Sequence, residues 1–223
     1  MNKIKLTVLP PANSEHQIDL TLNQAMDQTV EVFLNAFKEE AFTKALLDLN
    51  HRPNYDLYFQ AVKYKLSLYR EVGHKVFVAS VGKSIIGTFI LRSPHVSTPF
   101  GLQLRRLTPH LPTFARLILK YLQAAHLSQA VKPPDNLPIN HYALEGLAVH
   151  STCQGQGVGR MMLEKADHVC SEDNTASGIY LYTGDEKNKE IYKHFAYKIL
   201  EARPTRLFNA YHMFKYNNAK NKY

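Results

Sequence analysis

From His141 to Met161 the chain reads HYALEGLAVHSTCQGQGVGRM. Nine residues of strand character run into a turn with glycine at 155, 157 and 159, and a helical apolar pattern (Val158, Met162, Ala166, Val169) begins inside that turn. A strand joined through glycines to an amphipathic helix needs a sheet for the helix to cover, so this feature asks for an α/β fold. It also sets the chemistry. Glycines let backbone N–H groups converge without Cβ obstruction, and the first turn of a helix adds unpaired donors and a partial positive charge. Together these make a phosphate cradle. A P-loop would need Lys-Ser/Thr where Arg160-Met161 stand, and G-x-G-x-x-G fails because the glycines alternate. The bland alternative is a glycine turn without a ligand.

The remainder reads as one domain. Met1 to Val8 alternates Lys and apolar residues as an edge strand, stopped by Pro10-Pro11. Asn23 is placed to cap a helix carrying Val30, Phe33, Leu34, Phe37, Ala41 and Ala45. A second helix follows His51-Arg52-Pro53-Asn54, with Tyr58, Ala61, Val62, Lys65 and Tyr69. Lys75–Val81 and Ser84–Leu91 form a hairpin about Gly82-Lys83. Residues 93–140 are too long for a connection and too short for a core of their own. They are predicted to be a helical insertion or lid, whose amphipathic helix (Phe114, Leu117, Ile118, Tyr121, Leu122, Ala125) packs on the body of the fold. Beyond the glycine turn come strand Gly178–Thr183, helix Asp185–Phe195, and closing strands near Tyr197–Glu201 and Phe208–Tyr216. The expected fold is thus α/β, a mixed and mostly antiparallel sheet flanked by helices, one domain over 1–223.

Twenty-seven Lys and Arg against 19 Asp and Glu give a net charge of +8, which admits a polyanionic partner. The cations are scattered apart from Arg105-Arg106 and the tail from Asn217 to Tyr223, so nucleic acid is a lesser alternative. No apolar run reaches the ~20 residues of a membrane span, and no secretory signal is visible. With 2 cysteines there is no disulfide framework. The expected location is cytoplasmic, without membrane or nucleic-acid partners.

Gln154-Gly155-Gln156-Gly157-Val158-Gly159 resembles the Q/R-x-x-G-x-G/A signature of the GNAT N-acetyltransferase superfamily. The preceding LEGLAV is similar to that family's fourth strand, and NKEIYKHFAY (Asn188 to Tyr197) to its N-x-x-x-Y-x-x-x-G-F stretch. The insertion before the fourth strand is similar to the branch with puromycin acetyltransferase. The resemblance implies acetyl-CoA as cosubstrate, no metal, and transfer to a primary amine by direct attack. It implies that Gln154 to Arg160 hold the pyrophosphate, that the main chain of Leu147, Ala148 and Val149 lies along the pantetheine arm, and that Asn188 and Tyr192 line the same groove. Acyl transfer to an amine needs a neutral nucleophile, so a base is required. A period of two puts 143, 145 and 147 on one face, which leaves Glu145 as the candidate, with a salt bridge as its structural alternative. Tyr192 is the candidate proton donor to the leaving thiolate, with groove filling as its alternative. One departure is Ala196-Tyr197 in place of Gly-Phe.

His150, Cys153, His168 and Cys170 do not form a zinc site, because residues two apart on a helix diverge by about 200°. The acceptor is expected to be a small-molecule amine and the protein a monomer or homodimer. A protein N-terminus or lysine, a longer acyl-CoA, and a non-catalytic acyl-CoA-binding protein stand as alternatives.

Overall fold

A computed structural model describes residues 3–9, 21–97 and 99–217. The Pro10-Pro11 stop and the basic tail after Asn217 lie outside the described residues. The elements are β1 (Lys5–Val8), α1 (Leu22–Phe37), α2 (Ala41–Leu46), α3 (Arg52–Val72), β2 (Lys75–Val81), β3 (Ser84–Arg92), α4 (Phe100–Leu107), α5 (Leu111–Gln123), α6 (Ala125–Val131), β4 (His141–Val149), α7 (Val158–Ser171), β5 (Gly178–Thr183), α8 (Glu186–His194), β6 (Lys198–Pro204) and β7 (Asn209–Tyr216).

The seven strands form one sheet in the order β1-β2-β3-β4-β5-β7-β6. Every pairing is antiparallel except β4 with β5. The mixed, mostly antiparallel sheet expected from the sequence is therefore what forms, with β1 at its edge. One face carries α7 through Val158, Met162, Leu163, Ala166 and Val169, packed on Phe77, Phe89, Leu144, Ile179 and Leu181. The other face carries α1 over Val76, Val78 and Ile90. Beside it, α2 and α6 close on Phe208 and Ala210.

Four local expectations are corrected. The cap of α1 is Thr21, not Asn23: the Thr21 hydroxyl accepts from the Gln24 amide and the Gln24 side chain accepts from the Thr21 amide, a reciprocal capping box. The stripe from Val30 to Ala45 does not lie on one helix. Glu40 accepts from the Thr43 N–H at 2.7 Å and starts α2, so Ala41 and Ala45 belong to a separate short helix. The insertion holds three α-helices rather than one. Its apolar stripe also divides, since Phe114 and Leu117 turn inward while Ile118 and Leu122 face solvent.

The fourth correction bears on the site. Thr88 pairs with Ala148 but Ile90 pairs with Glu145, so β4 has one residue more than β3 across this stretch. Gly146, at φ +58°, sits in that bulge. A bulge reverses which face each later residue addresses. Tyr142 and Leu144 face α7 before it, while Leu147 and Val149 do so after it. Glu145 and Leu147 thus lie on opposite faces, contrary to the simple period of two. Only glycine serves at 146, because a Cβ there would overlap the Phe33 ring of α1.

Candidate functional site

Two features meet where β4 and β5 part. Their parallel ladder runs only from His141 with Gly178 to Ala143 with Tyr180. Past that point the strands separate, and the bulge and the segment Leu147–Val149 border the opening.

At its mouth lies the glycine turn. Gly155 (φ +75°) and Gly157 (φ +81°) are left-handed, and a Cβ built on either meets nothing within 4 Å. Gly157 is also the N-cap of α7, whose first turn has no side-chain cap and no acidic residue. The first amides of that helix have no intrahelical acceptor. Open space, converging N–H donors and the positive helix end fit a pyrophosphate and its linked arm. Val158 anchors the turn in the core, and Arg160 stands in the first helical turn with its guanidinium 5.9 Å from the Phe195 ring. Gln154 donates to the Val149 carbonyl (3.2 Å) and Gln156 to that of Thr152 (3.0 Å), so both glutamines stiffen the turn.

On one side of the opening Tyr192, from α8, is buried in the same cluster as Leu144 and Leu181 and meets Tyr197 edge-on at 5.7 Å. Burial, with Asp185 adding to it, pushes its phenol up to about 12. Asn188, a turn earlier, is exposed, and its backbone N–H is taken by Asp185. The two share a helix but not an environment.

On the other side Glu145 faces α3. Lys65 donates to one carboxylate oxygen at 2.7 Å and Arg92 to the other at 2.9 Å, with the Tyr69 hydroxyl at 3.4 Å. Burial alone would raise this carboxyl, but the two cations outweigh it and hold it below the ordinary range. Glu145 is therefore ionised and salt-bridged. Its cationic partners were not legible from the sequence, because Lys65 and Arg92 are 80 and 53 residues away.

The sequence reading also missed a polar wall on this face. Glu40 has one carboxylate oxygen on Thr43, while the other points at Gly184, where an added Cβ would lie 3.4 Å from it. Burial foremost raises the phenols of Tyr58, Tyr121 and Tyr182, and the Glu40 charge adds to all three. The sequence reading ran a single helix through Glu40, so neither its capping role nor its second oxygen was legible. Among the described residues no group of three His, Cys, Asp or Glu could hold a metal.

Comparison with known proteins follows this geometry. The model of the acetyltransferase (GNAT) family matches residues 40–197, from the Glu40 cap to the turn after Tyr192. The chain belongs to the GNAT acetyltransferase family. No curated protein matches it in sequence. Among solved structures, a Corynebacterium glutamicum ATCC 13032 protein titled histone acetyltransferase HPA2 and related acetyltransferase superposes with a TM-score of 0.61 at 16% identity, covering 95% of this chain and 96% of that one. PH1933 from Pyrococcus horikoshii OT3 gives 0.57 at 14% identity over 97% and 99%. Arabidopsis thaliana NAA60, solved in complex with acetyl-CoA, gives 0.50 at 11% identity over 97% and 99%. At such identities these similarities establish the GNAT fold.

Proposed function

We propose that this GNAT protein is an acetyl-CoA-dependent N-acetyltransferase acting on a primary amine, with a small molecule as acceptor. The observation that carries the reading is the open, uncapped glycine turn at the mouth of the β4–β5 opening. Acetyl-CoA supplies the activated acyl group. The amides of residues 155–160 would hold its pyrophosphate, and Leu147 to Val149 would run along its arm. The three-helix insertion with Tyr121 on its inner side supports the puromycin-acetyltransferase-like arrangement, in which this segment walls the acceptor.

In the reaction the amine nitrogen forms a bond to the acyl carbon, the carbon–sulfur bond breaks, and the amine's proton ends on sulfur. Glu145, ionised throughout the neutral range, takes that proton directly or through water and gives it up toward the sulfur as the carbon–sulfur bond breaks, which returns the carboxylate. Its lowered basicity makes it a weak base, so the supply of neutral amine governs the rate. A strand N–H of Leu147 to Val149 stabilises the developing oxyanion. Tyr192 stays protonated well above neutrality and donates a hydrogen bond to the departing sulfur. A phenol at about 12 cannot fully protonate a thiolate whose acid lies near ~8.5, so Tyr192 stabilises the charge and the proton reaches sulfur from the amine side.

Free-thiol release from acetyl-CoA across a panel of amines tests this. The expected result is turnover that depends on the amine. Binding of acetyl-CoA with no amine-dependent release would leave a non-catalytic acyl-CoA-binding protein.

A further inference from the structure

The insertion carries a surface that the acetyl-transfer site does not use. From Ser93 to Pro134 the chain has no Asp or Glu, but it has Arg105, Arg106, Arg116, Lys120 and Lys132. The α4 helix buries no residue and α5 buries only Phe114. Several of their large apolar side chains face solvent, with Phe100 at 78%, Leu104 at 52%, Leu119 at 58% and Leu122 at 67% exposed, while Leu102, Leu107 and Leu117 are half-buried. On α5 the positions Leu111, Ala115, Ile118 and Leu122 follow one another at i, i+4, i+7 and i+11, a single exposed line. Arg116 and Lys120, four residues apart, form the adjacent line. The inward side of the same helix is accounted for, since Tyr121 meets Phe42 at 5.8 Å and Leu117 packs on the α2–α6 core. The outward apolar line is therefore surplus to the fold, and isolated domains rarely leave so many large side chains exposed together.

We infer that the outer face of α4 and α5 docks on an anionic lipid bilayer. Leucines and a phenylalanine beside arginine and lysine, with no acid over 42 residues, match a helix lying in a membrane interface. Each cation near an anionic surface adds attraction, and the apolar line supplies burial that a nucleic acid could not use. A second copy of the chain is the less suitable occupant, because a two-fold interface would set Arg105, Arg116 and Lys120 against themselves without a carboxylate from the segment to compensate. Docking here leaves the glycine turn, on other elements, free to hold its ligand.

The test is co-sedimentation of the full chain with phosphatidylcholine vesicles, with and without phosphatidylserine at about a third of the lipid. Neither acetyl-CoA nor amine is present, so the result does not depend on the proposed reaction. The protein is expected to partition to the phosphatidylserine vesicles at low salt and to be released as salt rises past a few tenths molar. Leu119→Glu/Leu122→Glu and Arg116→Glu/Lys120→Glu should each weaken binding about tenfold or more, with melting temperature unchanged because all four side chains face outward. Three results would overturn the inference: no binding to anionic vesicles at low salt, binding by either double variant as tight as that of wild type, or a solution dimer that Leu119→Glu/Leu122→Glu dissociates.

Discussion

Ala196 stands at φ +66°, in the left-handed region that L-residues adopt at a cost of roughly 1–2 kcal/mol. The sequence already exposed it as the residue standing where glycine is usual in the resembled motif, and the turn after α8 does have the positive φ that glycine would serve. Ala196→Gly relieves the strain while loosening the unfolded chain, so a net gain of about 0.5–1 kcal/mol is expected in denaturant titration. No gain would mean that the turn holds alanine without strain. Glycines 155, 157 and 159 were equally visible in the sequence, yet they are not equivalent. Gly157 needs its positive φ, so any side chain there strains the turn as well as blocking it. Gly159 is helical, with Val149 the nearest side chain at 3.9 Å. Gly159→Trp is therefore the cleaner probe: acetyl-CoA affinity should fall at least tenfold, measured by calorimetry, with melting temperature little changed.

Among the elements, β4 shows most clearly what a period of two cannot reveal. The bulge at Gly146 arises from a count of residues across β3 and from the approach of Phe33, and neither is local in sequence. Gly146→Ala would meet the Phe33 ring and force a positive φ on alanine, so loss of several kcal/mol of stability is expected in thermal unfolding. Glu145 joins β4 to α3 and β3 through Lys65 and Arg92. Its carboxyl lies below the unfolded range near 4.5, so its contribution is present above that pH and is lost as pH falls through the lower folded value. Wild type should lose melting temperature in acid below about pH 4.5, and Glu145→Gln should lose less there because it has no charge to forfeit. At neutral pH the same variant separates two roles. A base predicts a rate lower by roughly 10²–10⁴ that recovers at high pH, where the amine deprotonates itself. A purely structural ion pair predicts a lower melting temperature with an unchanged pH–rate profile.

For the whole molecule, the strands, the hairpin and the glycine turn leading into α7 were legible because each rests on local periodicity or on glycine spacing. The polar face around Glu145 was not. Glu40, Lys65, Arg92 and Tyr182 come from a helix cap, a helix, and two strands, and only the closure of the sheet brings them to one face. The insertion was legible as a segment but not in its division of labour, since α6 is part of the core with Leu127 and Ala130 buried, while α4 and α5 stay near the surface. Deleting residues 93–140 would therefore remove core along with any lid. The central claim, that the glycine turn holds acetyl-CoA, is tested most directly by a thermal-shift titration. At a concentration one hundred times its dissociation constant, a ligand bound only by the native state adds about 2.7 kcal/mol. A saturable rise in melting temperature with acetyl-CoA, abolished in Gly159→Trp, is the predicted result. No shift of the wild-type protein at millimolar acetyl-CoA would contradict the account.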